Sequence, residues 1–188
     1  MDRFDAFDDV LAAAREGDER AFAALWRWLH PSLLRWLTVV ARFDVEDIAS
    51  DVWLSVARGL DTFEGDDVGF RGWVFTIARR RVIDRTRHHA RRPTVVPLEG
   101  VDPVDAAATS SARVDHTDAV SAALELLAQL TPDQREVVAL RVVAGMSVEE
   151  TAAVVGKAES AVRVLCHRGL RVLARRLDAD ALSSEVSA

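Results

Sequence analysis

Residues 70–92 read FRGWVFTIARRRVIDRTRHHARR, a stretch that joins a predicted helix to a dense run of positive charge. It holds eight arginines, a single acid (Asp84) and three aromatic residues, Phe70, Trp73 and Phe75. A helix is expected from about Phe70 to about His88, after the glycine- and acid-rich loop EGDDVG. Rings that stack on unpaired bases contribute about 1–3 kcal/mol each, while guanidinium groups hold the backbone. The combination favours single-stranded or melted nucleic acid, and core packing is the alternative reading of each ring.

Positive charge is confined to two segments of an otherwise acidic chain, whose 188 residues carry a formal net charge of −6. Residues 1–67 contain 7 arginines against 15 acids, whereas residues 79–92 contain 7 arginines against one acid. Residues 163–176 contain five arginines and no acid. Two basic segments separated by acidic ones favour a polyanionic ligand that is contacted at two points. For either segment alone, a solvated helix face is the competing interpretation.

The rest of the sequence predicts an all-α protein made of two helical domains. Residues 1–92 carry apolar side chains at helical spacing, and Asp44 is expected to cap a helix that buries Ile48, Val52 and Val56. Residues 93–118 combine three prolines with small and acidic residues, which predicts a flexible acidic linker. A second domain is expected over residues 119–178, followed by a frayed tail over residues 179–188.

The second domain has the pattern of a helix-turn-helix motif. Thr131 and Pro132 open one helix, Ser147 caps a short helix with a capping box, Gly156 closes it, and a basic helix follows to about Leu177. Ser160 is the candidate cap of this last helix. At 100° per residue its apolar face opposes a second face that contains Arg163, Val164, His167, Arg168 and Arg171. Such a cationic ridge suits the DNA major groove, and a solvated amphipathic helix is the alternative.

Several classes of function are disfavoured by what the sequence lacks. No apolar run approaches the roughly 20 residues of a membrane span, and the acidic N-terminus is unlike a secretory signal, so a cytoplasmic protein is expected. The single cysteine, Cys166, forms no internal disulfide and reads as a small packing residue rather than a redox sensor. His88 and His89 read as a solvated helix end. No glycine-rich phosphate loop or nucleophile–base set stands out, so neither a cofactor, a metal nor a catalytic residue is expected.

Three segments resemble a known family when they are read in order. They are DVEDIASDVWLSVARGLDTF (44–63), FRGWVFTIARRRVIDRTRHHARR (70–92) and LTPDQREVVALRVVAGMSVEETAAVVGKAESAVRVLCHRGLRVL (130–173). Placed around an acidic linker, they resemble the bacterial RNA polymerase sigma factors of the extracytoplasmic-function group, within the sigma-70 family. That group retains the second and fourth conserved regions of the family.

The resemblance implies three binding sites. The clamp of core RNA polymerase would be contacted by Asp47, Asp51, Val52, Trp53 and Leu54. The −10 promoter element would be bound and melted by Asp61, Phe63, Phe70, Trp73, Arg79, Arg80, Arg81 and Arg85, with the loop Asp61 to Gly69 holding a flipped base. The −35 element would be read by Arg163, Val164, His167, Arg168 and Arg171.

The resemblance also implies an anti-sigma protein as a further possible partner, without insertion into a membrane. Val164 and Leu165 depart from the usual polar readers, which leaves either altered −35 readout or a protein partner for this face. A stand-alone helix-turn-helix regulator is the alternative function, although it leaves the first domain unexplained. A helical enzyme is a third class, and no residue pattern favours it.

Overall fold

The computed structural model describes residues 4, 6–41, 44–91 and 118–186, and every regular element within these ranges is helical. The helices are α1 (Phe7–Arg15), α2 (Glu19–Val40), α3 (Val45–Gly59), α4 (Asp67–Arg91), α5 (Asp118–Ala128), α6 (Pro132–Val138), α7 (Val148–Val155) and α8 (Glu159–Val186). A 3-10 turn (Leu60–Thr62) follows α3, and a π-helical turn (Ala139–Val143) continues α6. The all-α expectation is confirmed. The predicted linker lies outside the described residues, apart from Asp118.

The first module comprises α1 to α4, and α2 lies at its centre in contact with the other three helices. Five side chains of α2 have no exposed surface: Leu25, Leu29, Leu33, Trp36 and Leu37. The predicted stripe of Ile48, Val52 and Val56 is buried against them. Burying an aliphatic or aromatic side chain of this size stabilises the fold by about 1.5–3 kcal/mol. The central helix is therefore fixed from three sides, and it orients α3 and α4.

Local signals predict most of the helix ends. Gly17 adopts a φ of 90° between α1 and α2, and Asp18 accepts hydrogen bonds from the first turn of α2. In the second module (α5 to α8), Thr131 and Ser147 each form a capping box, and Gly156 ends α7 with a φ of 67°. These ends were expected because caps and left-handed glycines act within a few residues.

Helix α4 is longer at both ends than the sequence-based expectation. It begins at Asp67, inside the predicted EGDDVG loop, instead of near Phe70, and it ends at Arg91 instead of near His88.

Three other helix ends also differ from the expectation. Asp44 precedes α3 but has a φ of 61° and makes no side-chain cap, so the predicted capping role is wrong. Ser160 lies inside the first turn of α8, which begins at Glu159, so the predicted cap is wrong as well. Helix α8 continues to Val186 instead of ending near Leu177, since no glycine or proline interrupts residues 170–186.

The two modules pack directly against each other. Helix α7 contacts α4, while α6 and the π-helical turn contact α2. Leu140 and Met146 of the second module belong to the same apolar cluster as Trp36 and Phe75 of the first. In this conformation the chain therefore has one contiguous core that spans both modules. The predicted division into two domains, residues 1–92 and 119–178, stays a prediction.

Candidate nucleic-acid interface

Two arginines of α4 are held by acids of the second module. Arg71 forms an ion pair with Glu150, with Nε 3.0 Å from Oε1, and the two side chains are only 10% and 9% exposed. Arg79 binds both carboxylate oxygens of Glu136, at 2.7 Å from Nε and 3.3 Å from Nη2. A carboxylate that accepts two hydrogen bonds occupies the same guanidinium donors that a phosphate would use. In this arrangement Arg79, a predicted −10 residue, is already engaged.

A second group of α4 side chains faces α3. Arg85 places Nη2 3.2 Å from Asp51 Oδ2 and Nη1 3.5 Å from Asp44 Oδ2. Arg81 donates from Nη2 to Ser55 Oγ at 2.8 Å, and the ring of His89 lies 3.3 Å from Asp44 Oδ2. We call this row of contacts the α3–α4 ladder. Of the predicted −10 arginines, Arg81 and Arg85 therefore have fixed positions on the surface of the first module.

Two further arginines of α4 are exposed to solvent. Arg80 and Arg87 are exposed, and neither has a hydrogen bond or ion pair with any residue that the structure describes. Seven residues separate them, which places both on one face of the helix. Sequence analysis named Arg80 but missed Arg87, although this spacing was visible in the sequence. Among the α4 side chains that the structure describes, the arginines that are both exposed and unpaired are thus Arg80 and Arg87, and we call them the open cationic face of α4.

The aromatic residues before and within α4 form a stacked group. The rings of Phe63 and Trp73 stack at 5.1 Å between centroids, and Phe70 meets Phe63 edge-on at 5.3 Å. Phe70 has no exposed surface, so its ring cannot stack on a base in this conformation, and core packing describes it. Phe63 is also buried, whereas Trp73 is half-buried and Asp61 is exposed in the 3-10 turn. Of the predicted rings, Trp73 has the most accessible surface.

The predicted polymerase-binding residues of α3 divide between surface and core. Asp47 and Leu54 are exposed, Leu54 by 54%, and Asp51 is half-buried in the α3–α4 ladder. Val52 is fully buried and Trp53 nearly so. Val52 offers no surface to a partner and Trp53 only an edge, and both side chains hold α3 against α2.

An aromatic groove between α2 and α3 lies beside these residues, lined by Phe22, Trp26, His30, Glu46, Trp53 and Leu54 among others. Trp26 stacks on His30 at 4.2 Å, and the indole N–H of Trp53 donates to His30 Nδ1 at 3.1 Å. Burial lowers the pKa of His30, and the nearby Glu46 carboxylate opposes this shift. His30 is therefore a neutral acceptor. Sequence analysis missed Trp26 and His30, whose i, i+4 spacing on α2 was the available signal.

Helix α8 presents the predicted −35 residues on one open face. All five of them are exposed: Arg163, Val164, His167, Arg168 and Arg171. Arg163 also reaches Glu159 one turn earlier, at 2.6 Å.

The opposite face of α8 packs through Val162, which is fully buried, and Gly169, where an added Cβ would lie 2.8 Å from Val138. Cys166 is half-buried on the packing side. The cationic face is available for contact even though the modules are closed.

The family models of known proteins match both modules. Sigma-70 region 2 matches residues 21–92, and sigma-70 region 4 matches residues 121–173. This chain belongs to the sigma-70 family. Its relatives place this sigma factor in the extracytoplasmic-function (ECF) group. Region 2 matches α2 to α4 of the first module but not α1, and region 4 matches the second module from within α5 to within α8.

Two relatives and one solved structure illustrate the similarity of this sigma factor to others. The ECF sigma factor BldN of Streptomyces coelicolor is 32% identical over 92% of this chain and 66% of its own length. ShbA of Streptomyces griseus is 36% identical over 86% of this chain and 90% of its own. The structure of CnrH in complex with the cytosolic domain of CnrY has a TM-score of 0.67, at 27% identity, and covers 94% of this chain and 99% of that one.

Among the helices that the structure describes, none has the length and apolar character to cross a bilayer. Within the same ranges, no three side chains of metal-binding type come together as a candidate ion site.

Proposed function

We propose that this sigma factor binds core RNA polymerase, directs it to promoters with −10 and −35 elements, and helps to open the duplex. It supplies recognition and strand separation, and the catalytic step belongs to the polymerase, so we assign the chain no enzymatic activity of its own. We accordingly propose the cytoplasm as its place of action. The observation that carries the proposal is the pair of open cationic faces, one on each module, within the segments that match regions 2 and 4.

The −35 role rests on α8. A helix that follows a short capped helix and exposes arginines along one face fits the major groove, where guanidinium groups reach phosphates and guanine edges. Arg168 and Arg171 have no ion pair with any described residue, so their full charge is available to DNA. Val164 is 47% exposed in the middle of this face and supplies an apolar contact, for which a thymine methyl group is suitable.

The −10 role rests on α4 and the turn before it. Arg80 and Arg87 form the open cationic face, and Arg79 joins it once Glu136 has moved away. Arg81, which is exposed, and Arg85, which is partly exposed, are proposed to bind the same strand from the side of α4 that faces α3. Trp73 and Phe63 stack at the start of this face, beside the exposed Asp61. Extruding a base from the duplex costs a few kcal/mol, and contact with the half-buried ring of Trp73 offsets that cost. The segment Asp61 to Gly69, whose last three residues form the first turn of α4, is proposed as the site for the extruded base.

We propose that polymerase docks on the exposed side of α3. Asp47 and Leu54 make direct contact, and the aromatic groove accepts an apolar side chain of the clamp. Val52 and Trp53 act by holding α3 in place. We further propose domain boundaries at residues 1–92 and 119–178 with a linker over residues 93–118. CnrH is solved in complex with part of another protein, the cytosolic domain of CnrY, so we propose a regulatory protein partner for this chain as well, of the anti-sigma class that the family resemblance implies.

Run-off transcription tests the proposal. Core polymerase is incubated with genomic fragments, with and without the purified chain, and the start sites are mapped. We expect transcripts that depend on the chain and that begin downstream of a shared pair of sequence elements. A double variant, Arg168→Ala with Arg171→Ala, should reduce occupancy of promoters, while a variant of the exposed Arg58 serves as the matched charge control. Absence of chain-dependent transcripts, or failure to associate with core polymerase, would contradict the proposal.

A further inference from the structure

The α3–α4 ladder joins the helix proposed to face polymerase to the helix proposed to face DNA. Asp44, Asp51 and Ser55 lie seven and four residues apart, which puts them along one side of α3. Their partners on α4 are His89, Arg85 and Arg81, at intervals of four residues. The ladder therefore runs along the contact between the two helices, with carboxylate or hydroxyl oxygens on α3 and cationic or imidazole groups on α4.

Asp44 takes part in the ladder instead of capping α3. An aspartate immediately before a helix usually caps it by accepting a backbone N–H. Asp44 makes no such bond, and its backbone adopts a φ of 61°, which is uncommon for residues other than glycine. Its carboxylate is directed to Arg85 and His89 of α4 instead. A residue that makes no local capping bond and has an uncommon backbone conformation is held in that conformation by its contacts with a distant segment.

Asp47 and Asp51 have similar sequence contexts but different surroundings. Asp47 is exposed and has no ion pair with any described residue. Asp51 is half-buried, and its Oδ2 atom lies 3.2 Å from Arg85 Nη2. A direct polymerase contact therefore suits Asp47. Asp51 already forms an ion pair with Arg85 of α4.

We infer that Asp51 and Asp44 are positioning residues for Arg85, holding its guanidinium in the orientation that binds the −10 strand. A guanidinium has five N–H donors in a rigid fork, and the two carboxylates engage one edge through Nη1 and Nη2. The other donors remain available to a phosphate. Ser55 acts in the same way on Arg81, with Oγ accepting at 2.8 Å. This inference rests on the proposed function, because it assigns Arg85 to promoter DNA.

The inference is tested by whether neutralising Asp51 weakens or strengthens binding to DNA. A carboxylate near a DNA strand repels phosphates, so its neutralisation by itself strengthens binding. A positioning carboxylate has the opposite effect, because its loss leaves the guanidinium to be ordered at the moment of binding. Asp84 provides the matched control: it lies on α4 next to Arg85, is exposed, and has no ion pair with any described residue. Asp51→Asn and Asp84→Asn remove the same charge from neighbouring places.

The experiment uses the full chain with saturating core polymerase, so that a docking defect does not affect the result. Binding is measured to a duplex of mixed sequence with a permanently unpaired bubble. We expect Asp51→Asn to weaken binding about two- to fivefold, the range that a partly exposed ion pair supports. We expect Asp84→Asn to bind as well as the wild type or more tightly. Binding by Asp51→Asn that equals or exceeds that of Asp84→Asn would overturn the inference.

A double-mutant cycle separates positioning from general stability. If Asp51 acts through Arg85, the Arg85→Ala variant removes the effect of Asp51→Asn on bubble binding. An Asp51→Asn effect that persists in the Arg85→Ala background contradicts the inference. Run-off transcription by the wild type distinguishes failure of the positioning role from failure of the proposed function. If the wild type supports transcription while Arg85→Ala binds the bubble normally, the positioning role is wrong and the proposed function stands. If wild-type transcription fails, the proposed function itself is rejected.

Discussion

Replacing Glu150 with glutamine is expected to loosen the contact between the two modules. Promoter elements at −35 and −10 lie about 25 base pairs apart, or roughly 85 Å at about 3.4 Å per base pair. Helix α7 of the second module lies directly against α4 of the first, so this arrangement cannot place both cationic faces on the two elements proposed for them. The proposed function therefore requires the modules to separate, and the Arg71–Glu150 pair opposes separation. Its removal is the most direct way to favour the open form.

The magnitude follows from the burial of this pair. Removing one partner of a buried ion pair costs about 3–5 kcal/mol, because the other charge stays desolvated. Glutamine retains a hydrogen-bond acceptor for Arg71 and also serves in the capping box with Ser147, so the expected cost to the closed form is about 2–3 kcal/mol. That corresponds to a shift of roughly 30- to 140-fold towards separated modules. The Arg79–Glu136 pair, 27% and 18% exposed, contributes less.

Small-angle X-ray scattering of the free protein measures the effect as an increase in the radius of gyration. Circular dichroism monitors the helix content, which should be retained. Asp133→Asn is the control, since Asp133 pairs with Lys157 at 3.0 Å on the open surface of the second module. Where the single variant remains compact, Glu136→Gln is added to Glu150→Gln to remove both pairs between the modules. A double variant as compact as the wild type refutes the reasoning.

Three other predictions concern separate parts of the molecule. The pKa of His30 is lowered below 6.5, so the unfolded chain binds a proton that the folded chain does not, and stability should fall as the pH drops through 6.5. The melting temperatures at pH 7.5 and 5.5 should differ less for His30→Gln, which keeps an acceptor for Trp53, than for the wild type. An equal difference in melting temperature argues against this. Gly169→Ala should destabilise the second module by about 1–2 kcal/mol in urea unfolding, because overpacking against Val138 outweighs the gain in helix propensity; a stabilised variant contradicts the observed close approach. Arg171→Ala should weaken promoter binding by the polymerase complex and reduce the slope of log K against log salt by about 1, whereas an unchanged slope would remove this residue from the phosphate contacts.

The features predicted correctly from sequence are those that act over short distances along the chain. The helix start at Thr131 and Pro132, the capping box at Ser147 and the helix end at Gly156 depend on residues within one turn. The buried stripe through Val52 follows from helical spacing, and it also explains why Val52 is unsuited to a direct docking contact. Helical periodicity therefore carried more information about this residue than its place in a family motif.

The features that sequence analysis missed depend on pairings between distant segments. Arg71 and Glu150 are 79 residues apart, and no local pattern indicates that they meet. Asp44 has the residue type and position of a cap, but Arg85 and His89 from another helix compete for its carboxylate. The four arginines assigned together to the −10 strand have three different environments, because α4 contacts α3 on one side and the second module on another. A single helical segment cannot reveal how its faces are shared among neighbours.

The distribution of chromophores gives this protein a built-in optical probe. All five tryptophans lie between residues 26 and 73, and the chain contains no tyrosine. Near-ultraviolet absorption and emission therefore originate almost entirely from the first module, and the second module is spectroscopically silent. Trp26 and Trp53 both contact the ring of His30 in the groove proposed for polymerase. Binding of an unlabelled, tryptophan-free peptide in that groove should thus be visible as a change in intrinsic fluorescence, with no dye attached.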